Sequence, residues 1–277
     1  VSTALKRLRD ITGDKLLVRS RNAMIPTERG AALLEPVRVA LEQLERIASG
    51  PVGFDPAASR RRFSLALPDG LDATLPADLV TELQRQAPDV QVAFHSTAQV
   101  SDHARALESG GLDLVLGHWP DPPEHLRALP LFEERMVVLM RHAHPLAGRT
   151  LTLADWLGAA QVAVAPGALG AQGGVDGFLA RERLHRRIVA QVPHAHMAPA
   201  MLLQSDLLFT ATSRFAAHFA GLLPLTVVEA PPELPAMACY LLWHERSHRS
   251  EECRWFRECV ACAARGCTPP AALRRAA

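Results

Sequence analysis

Two short strings in this 277-residue chain carry the residue types that chemistry uses. His244-Glu245-Arg246-Ser247-His248 satisfies H-E-x-x-H, in which two histidines one helical turn apart hold zinc and the glutamate acts as general base. That chemistry needs the pattern on a helix. Here it follows an apolar run, "MACYLLW", that reads as a strand, and it falls in the turn before the last helix, so no metal site is expected. Cys259-x-x-Cys262 has the spacing of a redox or zinc pair. It lies in "SEECRWFRECVACAA", a helical pattern that puts both sulfurs on one face, where a cysteine packs as a small hydrophobe. Oxidation of these thiols is the competing reading; five unmodified cysteines in a mass spectrum after peroxide would dismiss it. The five stand at 239, 253, 259, 262 and 267, and an odd, clustered set does not read as a disulfide framework. Nucleophile elbow, phosphate loop and dinucleotide fingerprint are all missing, so neither an enzyme nor a cofactor is expected.

The third candidate is electrostatic. Residues 1–62 hold 12 Lys/Arg against 7 Asp/Glu, a net of +5, whereas the remainder holds 18 against 22, a net of −4. A basic head on a mildly acidic body suits a protein whose head alone meets nucleic acid. In the head, Val1, Ala4, Leu5 and Leu8 share one face of a helix that Gly13 stops. Ser2, Thr3 and Lys6 point the other way, with Arg7 at the flank. Short polar side chains allow close approach to a major groove, and Lys and Arg reach phosphates or guanine edges. An ordinary solvated helix is the alternative. The apolar run from Leu16 to Val18 leads through Arg19, Ser20, Arg21 and Asn22 to Met24 and Ile25, the pattern of a small hairpin with a basic tip. Arg19 and Arg21 are its candidate DNA contacts.

Stepping outward, Thr27 is a good helix N-cap, and a helix is expected from there to about Ala48. Leu34, Val37, Leu41, Leu44 and Ala48 are spaced as a heptad seam that suits pairing with another helix. Pro36 interrupts one backbone bond and predicts a bend. "SGPVGFDPAASRRR" reads as a linker. Beyond it the pattern alternates strand and helix: "RFSLALPD", "DATLPADLVTELQRQAP", "VQVAFHS", "VSDHARALESGG", "LDLVLG". "FEERMVVLMR" then reads as a single strand. A second, similar series starts at "AQVAVAP". This order implies mostly parallel sheets covered by helices. A hydrophobic content of 48% can supply both cores. No apolar run is long enough to cross a membrane, and the N-terminus lacks a signal pattern, so the cytoplasm is the expected compartment.

In order along the chain, "VS…L..LR", "TGD.LLVRS" and "PT..G" are followed by "G.LDL.LG", "ERMVVLMR..HPLAG", "LTLADWL", "SDLLFTA" and "LLWHERSHRSEECRWFR". This series resembles the LysR-type transcriptional regulators over essentially the whole chain. The resemblance implies an α/β protein: a partial winged helix-turn-helix with a long linker helix, then a two-lobed, Rossmann-like effector domain of the periplasmic-binding-protein type. The expected divisions are 1–26 for the partial DNA-binding head, 27–49 for the linker and dimerisation helix, and 50–62 for a linker. Lobe I takes 63–160 with 237–265, lobe II takes 161–236, and 266–277 is a tail. The family places two more helices ahead of the recognition helix. A polypeptide starting at Val1 is therefore expected to bind DNA poorly, while a complete one binds it specifically.

The resemblance also implies a small effector in the cleft between the lobes, and ligands of open α/β sheets lodge at the C-terminal ends of strands. The candidates there are Asp69, Gly70, Ser96, Thr97 and His118 in lobe I. In lobe II they are Pro166, Gly167, His194, His196 and Thr212. Hydroxyls and helix N-terminal N–H groups would favour a carboxylate or phenolate oxygen. Expected partners are double-stranded operator DNA, a small aromatic or carboxylate effector, and further copies of the chain in a dimer or tetramer. The rival reading is a stand-alone small-molecule-binding protein, which the basic head and the missing signal disfavour.

Overall fold

The computed structural model describes residues 2–20, 23–48, 54–100, 102–119, 121–165 and 174–266. The chain divides into two compact units, Val1–Phe54 and Asp55–Ala277.

The first unit comprises α1 (Ser2–Thr12), β1 (Leu17–Ser20), β2 (Ala23–Pro26) and α2 (Glu28–Ala48). Gly13, at φ +66, ends α1, and its N–H donates to the Arg9 carbonyl at 2.9 Å. The antiparallel pair β1–β2 sets Arg19 opposite Met24. A small polar knot ties this hairpin to α2. Asp14 Oδ1 accepts from the Leu16 N–H at 2.6 Å and from Thr27 Oγ1 at 2.7 Å. Thr27 Oγ1 in turn accepts from the Gly30 N–H at 3.0 Å, capping the helix. Gly30 lies so close to the hairpin that a Cβ there would stand 2.2 Å from the Leu16 carbonyl oxygen. Gly30→Ala is therefore expected to push α2 off the hairpin at a cost of about 2 kcal/mol. Faster amide hydrogen exchange in β1, β2 and the first turn of α2 would report it; unchanged exchange would contradict the knot. α2 runs through Pro36, flanked by Arg38 pairing with Glu35 and Glu42.

The second unit contains two five-stranded sheets of matching design. The first has the order β4-β3-β5-β12-β6, from β3 (Arg62–Leu67), β4 (Gln91–Ser96), β5 (Leu114–His118), β6 (Arg127–Glu134) and β12 (Met237–Trp243). The second has the order β11-β7-β10-β8-β9, from β7 (Met136–Arg141), β8 (Ala160–Val164), β9 (Arg187–Val192), β10 (Leu208–Thr212) and β11 (Leu225–Glu229). In each, three strands are parallel and a fourth, antiparallel strand enters from the other lobe: β12 in the first, β7 in the second. The sheets are thus mixed rather than mostly parallel. Residues of β5 and β10 are buried throughout, as strands covered on both faces must be.

Helices α3 (Leu75–Gln86), α4 (His103–Ser109) and α9 (Glu251–Arg265) accompany the first sheet. Phe63 of β3 stacks on Phe256 of α9 with centroids 4.1 Å apart. Helices α5 (Leu153–Gly158), α6 (Gly174–Glu182), α7 (Ala198–Leu202) and α8 (Ser213–Leu222) accompany the second. Trp156 of α5 is fully buried there, its indole N–H donating to Thr210 Oγ1 at 2.9 Å. Among the described residues no helix is long and apolar enough to cross a membrane.

The structure moves one boundary. "FEERMVVLMR" is not a single strand: β6 ends at Glu134 and β7 begins at Met136 in the other sheet. The chain therefore leaves the first lobe at Arg135, and residues 136–160 belong with the second rather than the first. The reason is local. Glu134 is buried because its carboxylate accepts from the Arg214 N–H at 3.2 Å and from the Ser213 hydroxyl at the start of α8, which ends the strand's alternation.

Candidate effector cleft and DNA-facing head

The parallel strands β3, β4 and β5 bring their C-terminal ends to one edge of the first sheet. Asp69 and Gly70 follow β3 there, Ser96 ends β4, Thr97 follows it, and His118 ends β5. Across from them, β10 ends at Thr212, and His194 precedes, while His196 lies within, a single 3₁₀ turn, Ala195–Met197, that leads into α7.

The structure joins several of these residues to one another. Asp69 Oδ2 accepts from the Ala195 N–H at 2.9 Å and faces His194 Nδ1 at 3.4 Å and His196 Nδ1 at 3.6 Å. The two imidazoles stack, with centroids 5.4 Å apart. Thr212, with no exposed surface, donates its hydroxyl to the carbonyls of Leu71 at 2.7 Å and Gly70 at 3.1 Å. The same oxygen accepts from the Phe215 N–H and so caps α8. Asp69, Gly70 and Thr212 therefore bridge the lobes, and the one proton of the Thr212 hydroxyl is already committed to that bridge. Arg214 extends this seam, its guanidinium reaching Glu134 at 3.3 Å and Asp72 at 3.4 Å while lying over the Phe132 ring.

The other candidates have different surroundings. Ser96 caps the 3₁₀ turn after β4, accepting from the Ala98 N–H at 3.3 Å. His118 is buried, with Nδ1 donating to the Ala238 carbonyl at 2.9 Å, since a carbonyl can only accept. Thr97 is buried and its hydroxyl has no partner. Pro166 and Gly167 lie outside the described residues, as does Arg21.

Sequence reasoning missed His103 and Trp119. His103 opens α4 and donates from Nε2 to the Thr97 carbonyl at 3.2 Å. Burial holds its pKa below the ordinary histidine value, outweighing that hydrogen bond and the nearby Asp102. The sign of the consequence is fixed. The unfolded chain protonates this ring near pH 6.5, the folded chain only at lower pH, so acidification through that window favours unfolding. His103→Gln is expected to flatten the loss of stability between pH 6.5 and the folded pKa, read from denaturation midpoints across that range; an unchanged slope would contradict it.

The two sequence decoys resolve as structure. His244 caps a 3₁₀ turn, accepting from the Arg246 N–H, and His248 stacks on Trp243. No group able to hold a metal occurs among the described residues. Cys239, Cys253 and Cys259 are free and buried, and burial pushes the thiols of Cys239 and Cys259 up to about 12, far from reactive thiolates. Cys262 is disulfide-bonded, which the cysteine count did not suggest.

In the head, Ser2 opens α1, and Thr3, Lys6, Arg7 and, on β1, Arg19 are exposed. On α2 the seam residues Leu34, Val37, Leu41 and Leu44 are exposed by 40–65%; Ala48, the fifth, lies where side chains are not described.

A helix-and-hairpin head ahead of two matching α/β lobes defines a class of transcriptional regulator. The LysR substrate binding domain profile matches residues 56–265, and the chain belongs to the LysR family. It is 33% identical over 258 residues to the HTH-type transcriptional activator NagR of Ralstonia sp, covering 93% of this chain and 85% of that one. Among solved structures it is similar to the probable transcriptional regulator PA0477 of Pseudomonas aeruginosa, with 30% identity and a TM-score of 0.66, over 94% of this chain and 86% of that one. The effector-binding domain of QuiR, solved with shikimate, shares the fold at 16% identity and a TM-score of 0.59, over 73% of this chain and 96% of that one. The family and these relatives are regulators, not enzymes, and its members bind DNA and small-molecule effectors and usually oligomerise.

Proposed function

We propose that the protein is a cytoplasmic one-component transcription factor. It reads operator DNA with α1 and the β1–β2 hairpin, and a small oxygen-bearing effector between its lobes sets its activity. Thr3, Lys6, Arg7 and Arg19, all exposed on the basic head, are the DNA contacts in this reading, with Ser2 at the start of α1; Arg21, outside the described residues, is a further candidate from the sequence. The exposed stripe Leu34–Val37–Leu41–Leu44 pairs α2 with the same helix of a second copy; an apolar seam of this spacing is unstable in water without a partner. The effector contacts are Ser96, Thr97, His194 and His196, with His118 beside them and Pro166 and Gly167 as candidates from the sequence alone. Asp69, Gly70 and Thr212 act on the effector through the lobe seam.

The observation that carries this reading is the pair of lobes whose facing strand ends are joined by a few polar contacts, chiefly Asp69 to Ala195 and Thr212 to Leu71. An effector that binds one arrangement of the lobes better than another shifts the population between them. Arg7→Ala and Lys6→Ala are each expected to weaken operator binding by about tenfold and to lower the slope of log affinity against log salt by about one. Titration of operator DNA at several salt concentrations checks this; unchanged slopes would remove both residues from the interface.

A further inference from the structure

Helix α9 ends in a way that bears on its last cysteine. Gly266 follows Arg265 with φ at +67, and its N–H donates to the Ala263 carbonyl at 3.2 Å. This is the left-handed stop in which the residue after the glycine comes back over the residue four positions before the glycine. In the sequence those two residues are Cys267 and Cys262. Cys262 is buried and disulfide-bonded. Cys239, Cys253 and Cys259 are free, and Cys267, outside the described residues, is the remaining cysteine of the sequence. The register of the helix stop and the inventory of cysteines thus name the same partner. Cys259 does not compete for it, because burial pushes its thiol up to about 12 and leaves almost no thiolate for exchange.

The end of α9 is also where the two lobes are tied. The Ala264 carbonyl accepts from Arg214 of α8, the guanidinium that faces Glu134 and Asp72. Arg265 donates to the carbonyls of Pro130 at 2.8 Å and Leu131 at 3.3 Å on β6. The last carbonyls of a helix have no partner within it, and a terminal turn opens at little cost unless something holds it. A covalent closure over Gly266 holds this turn, and with it the carbonyl that Arg214 uses.

We propose that Cys262 and Cys267 form a reducible disulfide that closes the end of α9, and that its redox state sets how firmly Arg214 ties the lobes together. In the cytoplasm proposed above, thiols are kept reduced by glutathione, and a disulfide that occurs there is as a rule transient or redox-sensing. The choice of reductant rests on that compartment; the pairing and its effect on the seam do not. One glutathione thiolate attacks a sulfur of the bond and displaces the other as a thiolate. A second glutathione releases the first sulfur, so two glutathiones leave as their disulfide and the protein gains two electrons and two protons as two thiols.

The test uses the full chain, oxidised in air and then equilibrated with mixtures of glutathione and glutathione disulfide. Trypsin cuts after Arg257, Arg265 and Arg274, so the proposed bond joins residues 258–265 to residues 266–274 in a digest made without reductant. Cys259→Ser is expected to keep that linked peptide and Cys267→Ser to lose it. Amide exchange in the last turn of α9 and the first turn of α8 is expected to be about threefold or more faster in the reduced protein than in the oxidised one. Cys267→Ser and Cys262→Ala should exchange at the reduced rate in every mixture. In Arg214→Met the redox difference should persist in α9 and vanish in α8. A free Cys262 thiol in the oxidised protein, or a bond found only between two copies of the chain, overturns the pairing. A linked peptide that no glutathione mixture reduces, or exchange at α8 that is the same in both states, overturns the switch and leaves a structural bond.

Discussion

Arg214→Met is expected to destabilise the Asp55–Ala277 unit by about 3 kcal/mol, the low end for breaking a buried ion pair because the guanidinium is partly exposed. The Arg214 guanidinium lies between two buried carboxylates, Glu134 at 3.3 Å and Asp72 at 3.4 Å, and also donates to the Ala264 carbonyl at the end of α9. It covers the Phe132 ring at 3.9 Å. Methionine fills much of the volume but leaves both carboxylates without their cation. Glu134 keeps only its bonds to the start of α8. Glu134→Gln added to Arg214→Met is expected to recover part of the loss, because it removes one of the two facing charges. Denaturant titration followed by tryptophan fluorescence measures all of these variants. A single-variant loss below 1 kcal/mol would mean that the seam is held elsewhere.

Thr212→Val is the second large effect, expected at about 2 kcal/mol. The swap nearly preserves shape, so it isolates the hydroxyl. It takes the hydroxyl donor from the buried Leu71 and Gly70 carbonyls and removes the side-chain cap of α8. Thr212→Ser keeps the hydroxyl and is expected to stay within about 1 kcal/mol of the parent. A loss in Thr212→Val no larger than that in Thr212→Ser would mean that the hydroxyl's hydrogen bonds are not what holds the seam here. Both residues join the lobes, so variants that remain folded should also bind the effector with altered affinity, the seam being what an effector must work against.

Periodicity made most of the strands and helices legible, because most strands of the second unit are short apolar runs bounded by Gly, Pro or a polar cap. The cap residues were readable too. Thr27 and Gly13 act as their types suggest, and the resemblance motif "TGD…PT..G" turns out to be the Asp14–Thr27–Gly30 knot. The passage between lobes at Arg135 was not legible, since a strand that changes sheets without a turn residue looks like one long strand. Among the cleft candidates, polar residues at strand ends serve equally well as ligand contacts and as inter-lobe bonds, and sequence cannot separate the two. Asp69 and Thr212 went to the seam, while Thr97 was left with a free hydroxyl. Trp119 and His103 gave no signal at all, because an orphaned indole donor exists only once the chain has buried it.

The most direct test of the whole account is a nuclease footprint on the DNA upstream of the gene, made with the product of its native locus, with and without the effector. The account predicts a protected site for which Arg7→Ala requires about tenfold more protein. Its extent or affinity should change with the effector in the parent protein, and Thr97→Val should need more effector for the same change. Protection by Arg7→Ala and Lys6→Ala at the same protein concentration as the parent, or the absence of any protected site at low salt, would contradict it.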